Sequence, residues 1–286
     1  MALRCQSEPK LVEVMRSSAK VLKSLLPPII LELAKTLRKS GLRIKGQYSS
    51  WESASTETSG YDSREIEERV VSAARMVNDG RAAYERDSVV FNAIEYSWPF
   101  LASLLQVALE QQSLKVIDFG GSLGSSWRQN KKFLGRLQIP VAWHVVEQPH
   151  FVGIGNEEFS DETLDFYTNI EDAAKCGVDV VVFASSLCYV AQPEKIVAEA
   201  TKTDARFLIV DRLPTVAGNQ DRIAVQYVTK PIYDASYPIR LFGRDILFSG
   251  LFKEWTLLES WDCDLQPDRK SCSRGYFLER LNSGTD

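Results

Sequence analysis

An apolar segment that ends in an acidic residue and a glycine-rich turn constrains the fold of this chain most. Residues 116–124 read VIDFGGSLG, which predicts a buried strand followed directly by a loop and a helix. Such a loop needs glycine where its backbone takes positive φ, or where a ligand lies too close for a Cβ atom. The helix after it would direct free N–H groups towards that ligand. The segment therefore predicts an α/β domain that binds a nucleotide-like molecule at the end of this strand.

Apolar segments alternate with helical segments after residue 114. Five of them are continuous runs rich in Val, Ile and Phe, which is typical of strands covered on both faces. This alternation predicts a parallel, doubly wound sheet, and two apolar segments near the C-terminus predict an antiparallel hairpin, seven strands in all. The predicted strands are 115–119, 141–146, 164–167, 178–184, 207–211, 255–262 and 275–280, and the predicted helices between them are 125–137, 151–159, 170–175 and 193–202.

Charge and periodicity divide the chain into three parts. Residues 1–45 hold ten Lys and Arg against three Glu, a net charge of +7, which leaves −11 for the remainder. Their apolar residues recur at helical spacing around a diproline, which predicts a basic helical arm. Residues 46–112 predict a helical cap region, with helices that begin near residues 63 and 91. Residues 113–286 form the predicted α/β domain.

Composition narrows the classes of function. Five cysteines without metal-binding spacing and only two histidines predict a reduced, cytoplasmic protein without a metal ion. We expect no signal peptide and no membrane-spanning segment. The basic arm could contact a membrane surface or an acidic protein, or it could be a solvated helical face. The acidic remainder argues against nucleic acid as a partner.

The spacing of the glycines distinguishes between nucleotide-like cofactors. The dinucleotide fingerprint requires Gly at i, i+2 and i+5, and no glycine of this loop begins such a series, which disfavours a nicotinamide-dependent oxidoreductase. Asp118, Gly120, Ser122 and Gly124 instead resemble the first motif of class I S-adenosylmethionine-dependent methyltransferases, with Ser in place of the middle Gly. The resemblance implies S-adenosylmethionine as the cofactor and a Rossmann-like fold.

The resemblance extends over most of the chain, from the diproline to the last predicted strand. It is similar to a family of bacterial methyltransferases often linked to surface-polysaccharide or O-antigen gene clusters. Cys188 and the basic extension before Pro27 depart from the pattern of that family. The segments that carry the resemblance are 46–51, 60–62, 83–88, 95–99, 118–127, 144–151 and 234–238.

The ends of the predicted strands supply the residues that would hold the cofactor. Glu147 ends the second strand, 29 positions after Asp118, and its carboxylate could accept hydrogen bonds from both ribose hydroxyls. The third strand end would meet the adenine, and the fourth would lie beside the methionine moiety. The predicted cofactor-binding residues are Asp118, Gly120, Gly121, Ser122, Gly124, Glu147, Gln148, Asn169, Ser185 and Ser186.

Two residues are candidates for proton transfer. Asp211 ends the fifth strand and would act as a general base for a hydroxyl acceptor, although it could instead pair with Arg212 or cap a turn. His150 is the second candidate, and a structural or adenosine-contact role suits it better because it follows Glu147 by three residues. His144 lies within a strand and is interpreted as a core histidine with satisfied hydrogen bonds.

The acceptor would be bound by aromatic and polar residues outside the parallel strands. Residues 226–238 are aromatic and predict a long irregular loop between the fifth strand and the final hairpin, which could contact substrate or only pack as a lid. Residues of the helical cap could close the site from above. The predicted substrate-binding residues are Tyr84, Arg86, Tyr96, Tyr189, Arg212, Gln226, Tyr233 and Tyr237.

The sequence therefore predicts a methyltransferase whose acceptor is a small molecule or a glycan. The predicted reaction is O-methylation of a sugar or a glycan intermediate, and the gene clusters linked to the family imply a place in polysaccharide biosynthesis. N-methylation of a small metabolite is the alternative within the enzyme class. A catalytically inactive methyltransferase fold that binds a partner through its basic arm is the alternative outside it.

Overall fold

The computed structural model describes residues 42–60, 64–86, 88–229, 234–264 and 266–281. The chain divides into two compact units, Met1–Leu42 and Arg43–Asp286. The arm predicted for residues 1–45 lies almost entirely outside the described residues. Its helices, its contacts and the division into three domains therefore stay predictions.

Helices and strands alternate along the described residues. The strands are β1 (Leu42–Tyr48), β2 (Tyr84–Arg86), β3 (Val89–Phe91), β4 (Leu114–Phe119), β5 (Val141–Val146), β6 (Leu164–Tyr167), β7 (Val180–Ala184), β8 (Phe207–Val216), β9 (Arg222–Val228), β10 (Ala235–Gly243), β11 (Trp255–Cys263) and β12 (Ser271–Arg280). The helices are α1 (Trp51–Ser55), α2 (Arg64–Asn78), α3 (Trp98–Gln111), α4 (Ser125–Leu134), α5 (Pro149–Glu158), α6 (Ile170–Ala174) and α7 (Pro193–Lys202), with short 3₁₀ turns at Leu187–Tyr189 and Arg244–Ile246.

Seven strands form the sheet that the sequence predicts. Strands β6, β5, β4, β7 and β8 are parallel neighbours in that order, β12 pairs antiparallel with β8, and β11 pairs antiparallel with β12. If these seven strands are numbered 1 to 7 along the chain from β4 to β12, with β9 and β10 left out, their order across the sheet is 3-2-1-4-5-7-6. This arrangement confirms the predicted Rossmann-like, mostly parallel sheet with a C-terminal antiparallel hairpin.

Both faces of the sheet are covered, which explains the continuous apolar runs. In β7, Val180 and Val182 belong to one buried apolar cluster, whereas Val181 and Phe183 belong to a second. Successive side chains of a strand point to opposite faces, so the two clusters lie on opposite sides of the sheet. Apolar residues are therefore favoured at both alternating sets of positions in such a strand.

The prediction of an irregular loop is wrong for residues 226–228 and 235–238, and residues 230–233 lie outside the described residues. Residues Arg222–Val228 and Ala235–Gly243 form the antiparallel pair β9 and β10, and β1 lies beside β9. Since β12 occupies one edge of β8 along its length, β10 takes the other edge of β8 beyond the end of β7. Pro238 hid this pair, because Pro is depleted in strands.

The predicted cap region also contains strands. The predicted helix over 91–112 begins only at Trp98, because Pro99 suits a first helical turn, and Phe91 belongs to β3. Tyr84 pairs with Phe91, so Tyr84 and Arg86 lie in a short hairpin instead of a helix. The helix predicted near residue 63 is present as α2, and its predicted cap, Ser63 or Asp62, lies outside the described residues.

Two glycines of α5 offer a matched test of the packing against β6. A Cβ added at Gly155 would lie 2.5 Å from Cγ of Phe166, whereas one added at the exposed Gly153 meets nothing within 4 Å. Gly155→Ala should therefore lower the free energy of unfolding by about 1–3 kcal/mol through overpacking. Gly153→Ala should raise it by about 0.5–1 kcal/mol, since Ala favours a helix more than Gly. Urea denaturation measures both, and changes of the same sign would contradict this packing.

Candidate functional site

The loop between β4 and α4 has the backbone that its glycines predict. Gly120, Ser122 and Gly124 have φ values of 70°, 53° and 88°, and Gly124 is the N-cap residue of α4. A Cβ atom at Gly120 would lie 2.6 Å from Cβ of Ser186, which follows β7. The loop after β4 and the segment after β7 therefore pack together so closely that only glycine is accommodated at position 120.

Asp118 is a fully buried carboxylate beneath this loop. Its Oδ2 accepts a hydrogen bond of 3.1 Å from Trp143 Nε1, and a Cβ at Gly121 would lie 2.6 Å from the same oxygen. Burial raises the pKa of Asp118 to about 6, although Trp143 and the nearby Ser126 offset part of this effect. Among the described residues, no donor meets hydrogen-bonding geometry at Oδ1.

The buried Asp118 should make stability depend on pH. Its pKa is raised from 3.8 to about 6 in the folded chain, so between these values the folded chain binds more protons than the unfolded chain. Stability therefore falls by about 3 kcal/mol as the pH rises through this window, and stays constant above it. Asp118→Asn keeps an acceptor for Trp143 but cannot titrate. Between these two pH values, the difference in unfolding free energy between wild type and Asp118→Asn should change by about 3 kcal/mol. A difference that does not depend on pH would contradict the raised pKa of Asp118.

Glu147 joins the end of β5 to the glycine loop. Its Oε1 accepts a hydrogen bond of 3.2 Å from the Ser122 N–H, and its Oε2 accepts one of 2.9 Å from the Gln148 N–H. Burial raises the pKa of Glu147, and these two backbone donors lower it in part. The half-buried carboxylate thus lies against the loop, and each oxygen has one lone pair left for a ligand hydroxyl.

The neighbours of Glu147 are more exposed. Gln148 has an exposed side chain and precedes α5. His150 packs its ring 4.3 Å from that of Phe151, and its Nε2 lies 3.9 Å from Glu67 Oε2. These contacts fit the structural role preferred for His150 over catalysis. Its catalytic role stays a prediction.

Asn169 follows β6 and caps α6. Its Oδ1 accepts a hydrogen bond of 2.8 Å from the Asp172 N–H, and its Nδ2 donates one of 2.8 Å to Asp172 Oδ2. The exposed side chain of Asn169 therefore already caps the first turn of α6. Contact with adenine stays a prediction for this residue.

Two serines continue the site after β7. Ser185 has a φ of 64°, and its N–H donates to the carbonyl oxygen of Asp211 at 2.9 Å. The hydroxyl of Ser186 is buried and has no hydrogen-bond partner among the described residues. A buried hydroxyl without a partner loses free energy unless a ligand or water satisfies it.

Asp211 is paired with Arg212, which is one of the alternatives left open by the sequence. The carboxylate is 1% exposed, and its Oδ2 accepts a hydrogen bond of 2.6 Å from Arg212 Nη1. Its Oδ1 accepts hydrogen bonds from Trp261 Nε1 at 3.0 Å and Ser97 Oγ at 3.4 Å. The φ of Arg212 is 56°, so the backbone turns sharply at this point of β8.

Cys263 completes the surroundings of Asp211. Its Sγ lies 3.8 Å from Asp211 Oδ1, and burial followed by the Asp211 charge raises the pKa of Cys263 to about 12. The thiol is therefore neutral and donates to the carboxylate. Sequence reasoning missed Ser97, Trp261 and Cys263, because each lies at least 50 positions from Asp211 and carries no motif.

Three predicted substrate residues form one hydrogen-bonded group. Tyr189 donates to Gln226 Oε1 at 3.3 Å, and Gln226 Nε2 donates to the hydroxyl of Tyr237 at 3.0 Å. The two tyrosine rings lie 5.3 Å apart in an edge-to-face arrangement. The pairing of β9 with β10 places Gln226 directly opposite Tyr237.

The other predicted substrate residues lie elsewhere or outside the description. Tyr84 is buried and stacks on Phe91 at 5.8 Å, and the Arg86 guanidinium lies 5.8 Å from the same ring. Tyr96 packs edge-to-face on Phe133 at 5.2 Å. Tyr233 lies outside the described residues. A role in closing the site stays a prediction for all four.

His144 is a core residue as predicted, but the prediction that its hydrogen bonds are satisfied is wrong for the described residues. The residue is buried, but neither ring nitrogen has a hydrogen-bond partner among the described residues. Asp165 Oδ2 lies 3.9 Å from His144 Nδ1, which is too far for a hydrogen bond. Burial lowers the pKa of His144, so the ring is neutral near pH 7.

The part of the chain that the structure describes contains neither a metal site nor a membrane-spanning helix. No group of three or more His, Cys, Asp and Glu side chains within these ranges could hold a metal ion. Within the same ranges, no helix combines the length and the apolar character needed to cross a bilayer.

Comparisons with known proteins give distant structural likenesses. No protein-family model matches the chain, and no curated protein matches its sequence. The N-terminal domain of EvdMO1, crystallised with SAH and D-fucose, is 15% identical, with 77% of this chain and 97% of that chain covered and a TM-score of 0.45. Magnesium protoporphyrin IX methyltransferase from Synechocystis PCC 6803, with bound SAM, is 12% identical over 64% of this chain and 79% of that chain, with a TM-score of 0.41. The [4+2]-cyclase SpnF is 12% identical over 83% of this chain and 98% of that chain, with a TM-score of 0.42.

Proposed function

We propose that this chain is an S-adenosylmethionine-dependent methyltransferase. One observation carries the proposal: the Glu147 carboxylate at the end of β5 accepts the Ser122 N–H of the glycine loop after β4. In an open α/β sheet, ligands bind beyond the carboxyl ends of the strands, which is where these two groups meet. A ribose held by Glu147 would then extend its substituents along the loop.

Three features of this chain suit the proposed cofactor. Asp118 Oδ1 and Ser186 Oγ are buried polar atoms without partners among the described residues, at the ends of the neighbouring strands β4 and β7. The N-terminus of α4 supplies free N–H groups beside them, which favour a carboxylate such as that of an amino-acid moiety. Asp118 and Ser186 could accept from or donate to the polar groups of the same moiety.

The residues of this chain would act by orientation and proton transfer. When bound, S-adenosylmethionine supplies an electrophilic methyl group. Glu147 and the glycine loop would fix the position of the donor, and the packed segment after β7 would exclude water from it. Asp211 would accept the proton of an acceptor hydroxyl at one carboxylate oxygen. Its pairing with Arg212 would hold that carboxylate in place.

A sugar or glycan intermediate is the proposed acceptor. Support comes from the Tyr189, Gln226 and Tyr237 group, because it combines two aromatic rings with an amide and two hydroxyls. Flat apolar faces bordered by hydrogen-bonding groups match the surface of a sugar ring. N-methylation of a small metabolite is the alternative. The link to polysaccharide gene clusters, the cytoplasmic location and a contact made by the basic arm stay predictions from the sequence.

Glu147→Ala should weaken the binding of S-adenosylhomocysteine. Loss of charge-assisted hydrogen bonds to a ribose costs about 1.5–3 kcal/mol, or about 10- to 100-fold in affinity. Glu157→Ala, the same substitution at an exposed glutamate of α5 with no assigned role, is the matched control and should bind nearly as wild type. Isothermal titration calorimetry measures both. Equal affinity of wild type and Glu147→Ala would remove Glu147 from the ribose site.

Transfer itself needs a direct test. The protein is incubated with isotopically labelled S-adenosylmethionine and a panel of nucleotide sugars, lipid-linked glycans and small amines, and the products are read by mass spectrometry. A labelled methyl group on a sugar oxygen supports the proposed reaction, and one on an amine nitrogen supports the alternative. Binding of S-adenosylhomocysteine without transfer to any acceptor would favour a non-catalytic binding protein. Binding of NADH without S-adenosylhomocysteine would overturn the cofactor.

A further inference from the structure

A second concave surface lies apart from the glycine loop. It has a volume of about 400 Å³ and contains none of the residues assigned to the cofactor or the acceptor. The end of β1, the first residue of β9 and the turn before β12 surround it. The residues that line this cationic concavity are Gly46, Gln47, Arg222, Asp268, Arg269 and Lys270.

Asp268 organises the cationic concavity. Its Oδ2 accepts a hydrogen bond from Arg222 Nη2, and its Oδ1 accepts from Ser271 Oγ at 2.8 Å and from the Lys270 N–H at 2.9 Å. Burial alone would raise the pKa of Asp268, but these three donors lower it below its usual value. The Asp268 carboxylate is therefore ionised, and both of its oxygens already accept hydrogen bonds. These bonds fix the turn that carries Arg269 and Lys270.

The lining carries a surplus of positive charge. Three cations face a single carboxylate, and that carboxylate is already occupied. Among the residues that the structure describes, Arg269 and Lys270 take part in no ion pair. The adjacent Asp221 does not neutralise them, because it accepts from Arg240 Nη1 at 3.0 Å and from the Gly243 N–H at 2.9 Å.

We propose that the cationic concavity binds the diphosphate group of a small molecule. Guanidinium and ammonium groups are the strongest protein donors to phosphate oxygens, and Arg222 is held rigidly enough to present a fixed charge. A volume of about 400 Å³ exceeds a diphosphate and leaves room for an attached group. Free pyrophosphate and a nucleoside diphosphate share this chemistry. The proposal does not depend on the proposed methyl transfer, since binding is measured without a methyl donor.

Calorimetric titration of the full chain with sodium pyrophosphate, and separately with a nucleoside diphosphate, tests the proposal at constant ionic strength. The double variant Arg269→Gln/Lys270→Gln should lose affinity by at least about tenfold, because two charge-assisted contacts are removed. Lys253→Gln is the matched control. It removes one exposed positive charge before β11, at the opposite end of the β11–β12 hairpin, and should bind as wild type.

The outcomes separate the ligand from a general charge effect. Tighter binding of the nucleoside diphosphate than of pyrophosphate identifies a nucleotide ligand, and equal binding identifies the diphosphate alone. Equal losses in the double variant and in Lys253→Gln would overturn the proposal, as would the absence of saturable binding for both probes. Thermal unfolding of each variant shows whether the fold is retained, which is expected because the substituted side chains are exposed.

Discussion

The Gly120→Ala variant should lose affinity for S-adenosylhomocysteine by at least about 100-fold while it retains its fold. The φ of Gly120 is 70°, a conformation that is strained for Ala. The added Cβ would also lie 2.6 Å from Cβ of Ser186, so the loop or the segment after β7 must move. Either movement displaces groups that are proposed to contact the cofactor. Calorimetry with S-adenosylhomocysteine measures the loss, and Gly120→Arg should abolish binding altogether.

Gly80 provides a matched control for backbone strain. Its φ is 71°, almost equal to that of Gly120, but an added Cβ meets nothing within 4 Å. Gly80→Ala should therefore lower stability by about 1 kcal/mol and leave the binding of S-adenosylhomocysteine unchanged. If Gly120→Ala bound as tightly as Gly80→Ala, the contact with Ser186 would have no part in the cofactor site.

The second large effect is expected at Asp211. If Asp211 accepts the hydroxyl proton, Asp211→Asn should lower kcat by about 10²- to 10⁴-fold, because the amide cannot act as a base. The affinity for S-adenosylhomocysteine should stay nearly unchanged, since no cofactor contact is removed. Asn keeps an acceptor for the Trp261 N–H, so the local geometry is preserved. Steady-state kinetics with an identified acceptor measure the effect, and unaltered turnover would exclude Asp211 as the base.

Arg212→Gln distinguishes a base from a pair that only positions the acceptor. If Asp211 is the base and Arg212 contacts the substrate, Arg212→Gln should raise KM more than it lowers kcat. Equal losses of kcat in both single variants would show that the two residues act as one positioning pair. Asp211→Asn leaves the partly buried Arg212 charge without its Asp211 partner, which should lower the free energy of unfolding. The double variant removes that charge, and it should be more stable than Asp211→Asn alone.

The parallel strands of the central sheet could be predicted because most of their residues are apolar. Strands β5 and β6 have the predicted bounds, and β4 begins one residue earlier than predicted. Burial on both faces imposes this composition, so the signal is present within each strand. The strand β8 was predicted to end at Asp211 but continues to Val216, because β12 and β10 pair with its second half.

The pair β9 and β10 could not be predicted in the same way. Pro238 is disfavoured within a strand, and the paired residues of β9 and β10 lie between 7 and 19 positions apart in the chain. Their backbone groups are satisfied only once the two strands meet and β10 reaches β8. The sequence accordingly suggested aromatic residues near an acceptor, but not the strands that hold them.

The local chemistry of the loop was accessible from the sequence, since it depends on neighbours along the chain. An acidic strand end, glycine at positions of positive φ and an acidic end on the next strand all follow from short-range pattern. The partners of Asp211 were not accessible, because Ser97 and Trp261 lie 114 and 50 positions from Asp211 in the chain. The sequence left Asp211 open as a base or as the partner of Arg212, and the folded chain pairs it with Arg212.

By itself, the sequence determined the parallel sheet, the glycine loop and the place of Glu147, because apolar periodicity and backbone sterics act between neighbouring residues. Only the tertiary structure decided which polar groups are left without partners, as at Ser186, and which charges are already paired, as at Asp211. Hydrogen bonds and ion pairs form between side chains that folding brings together. Their partners therefore depend on the packing of the whole sheet and not on any one segment.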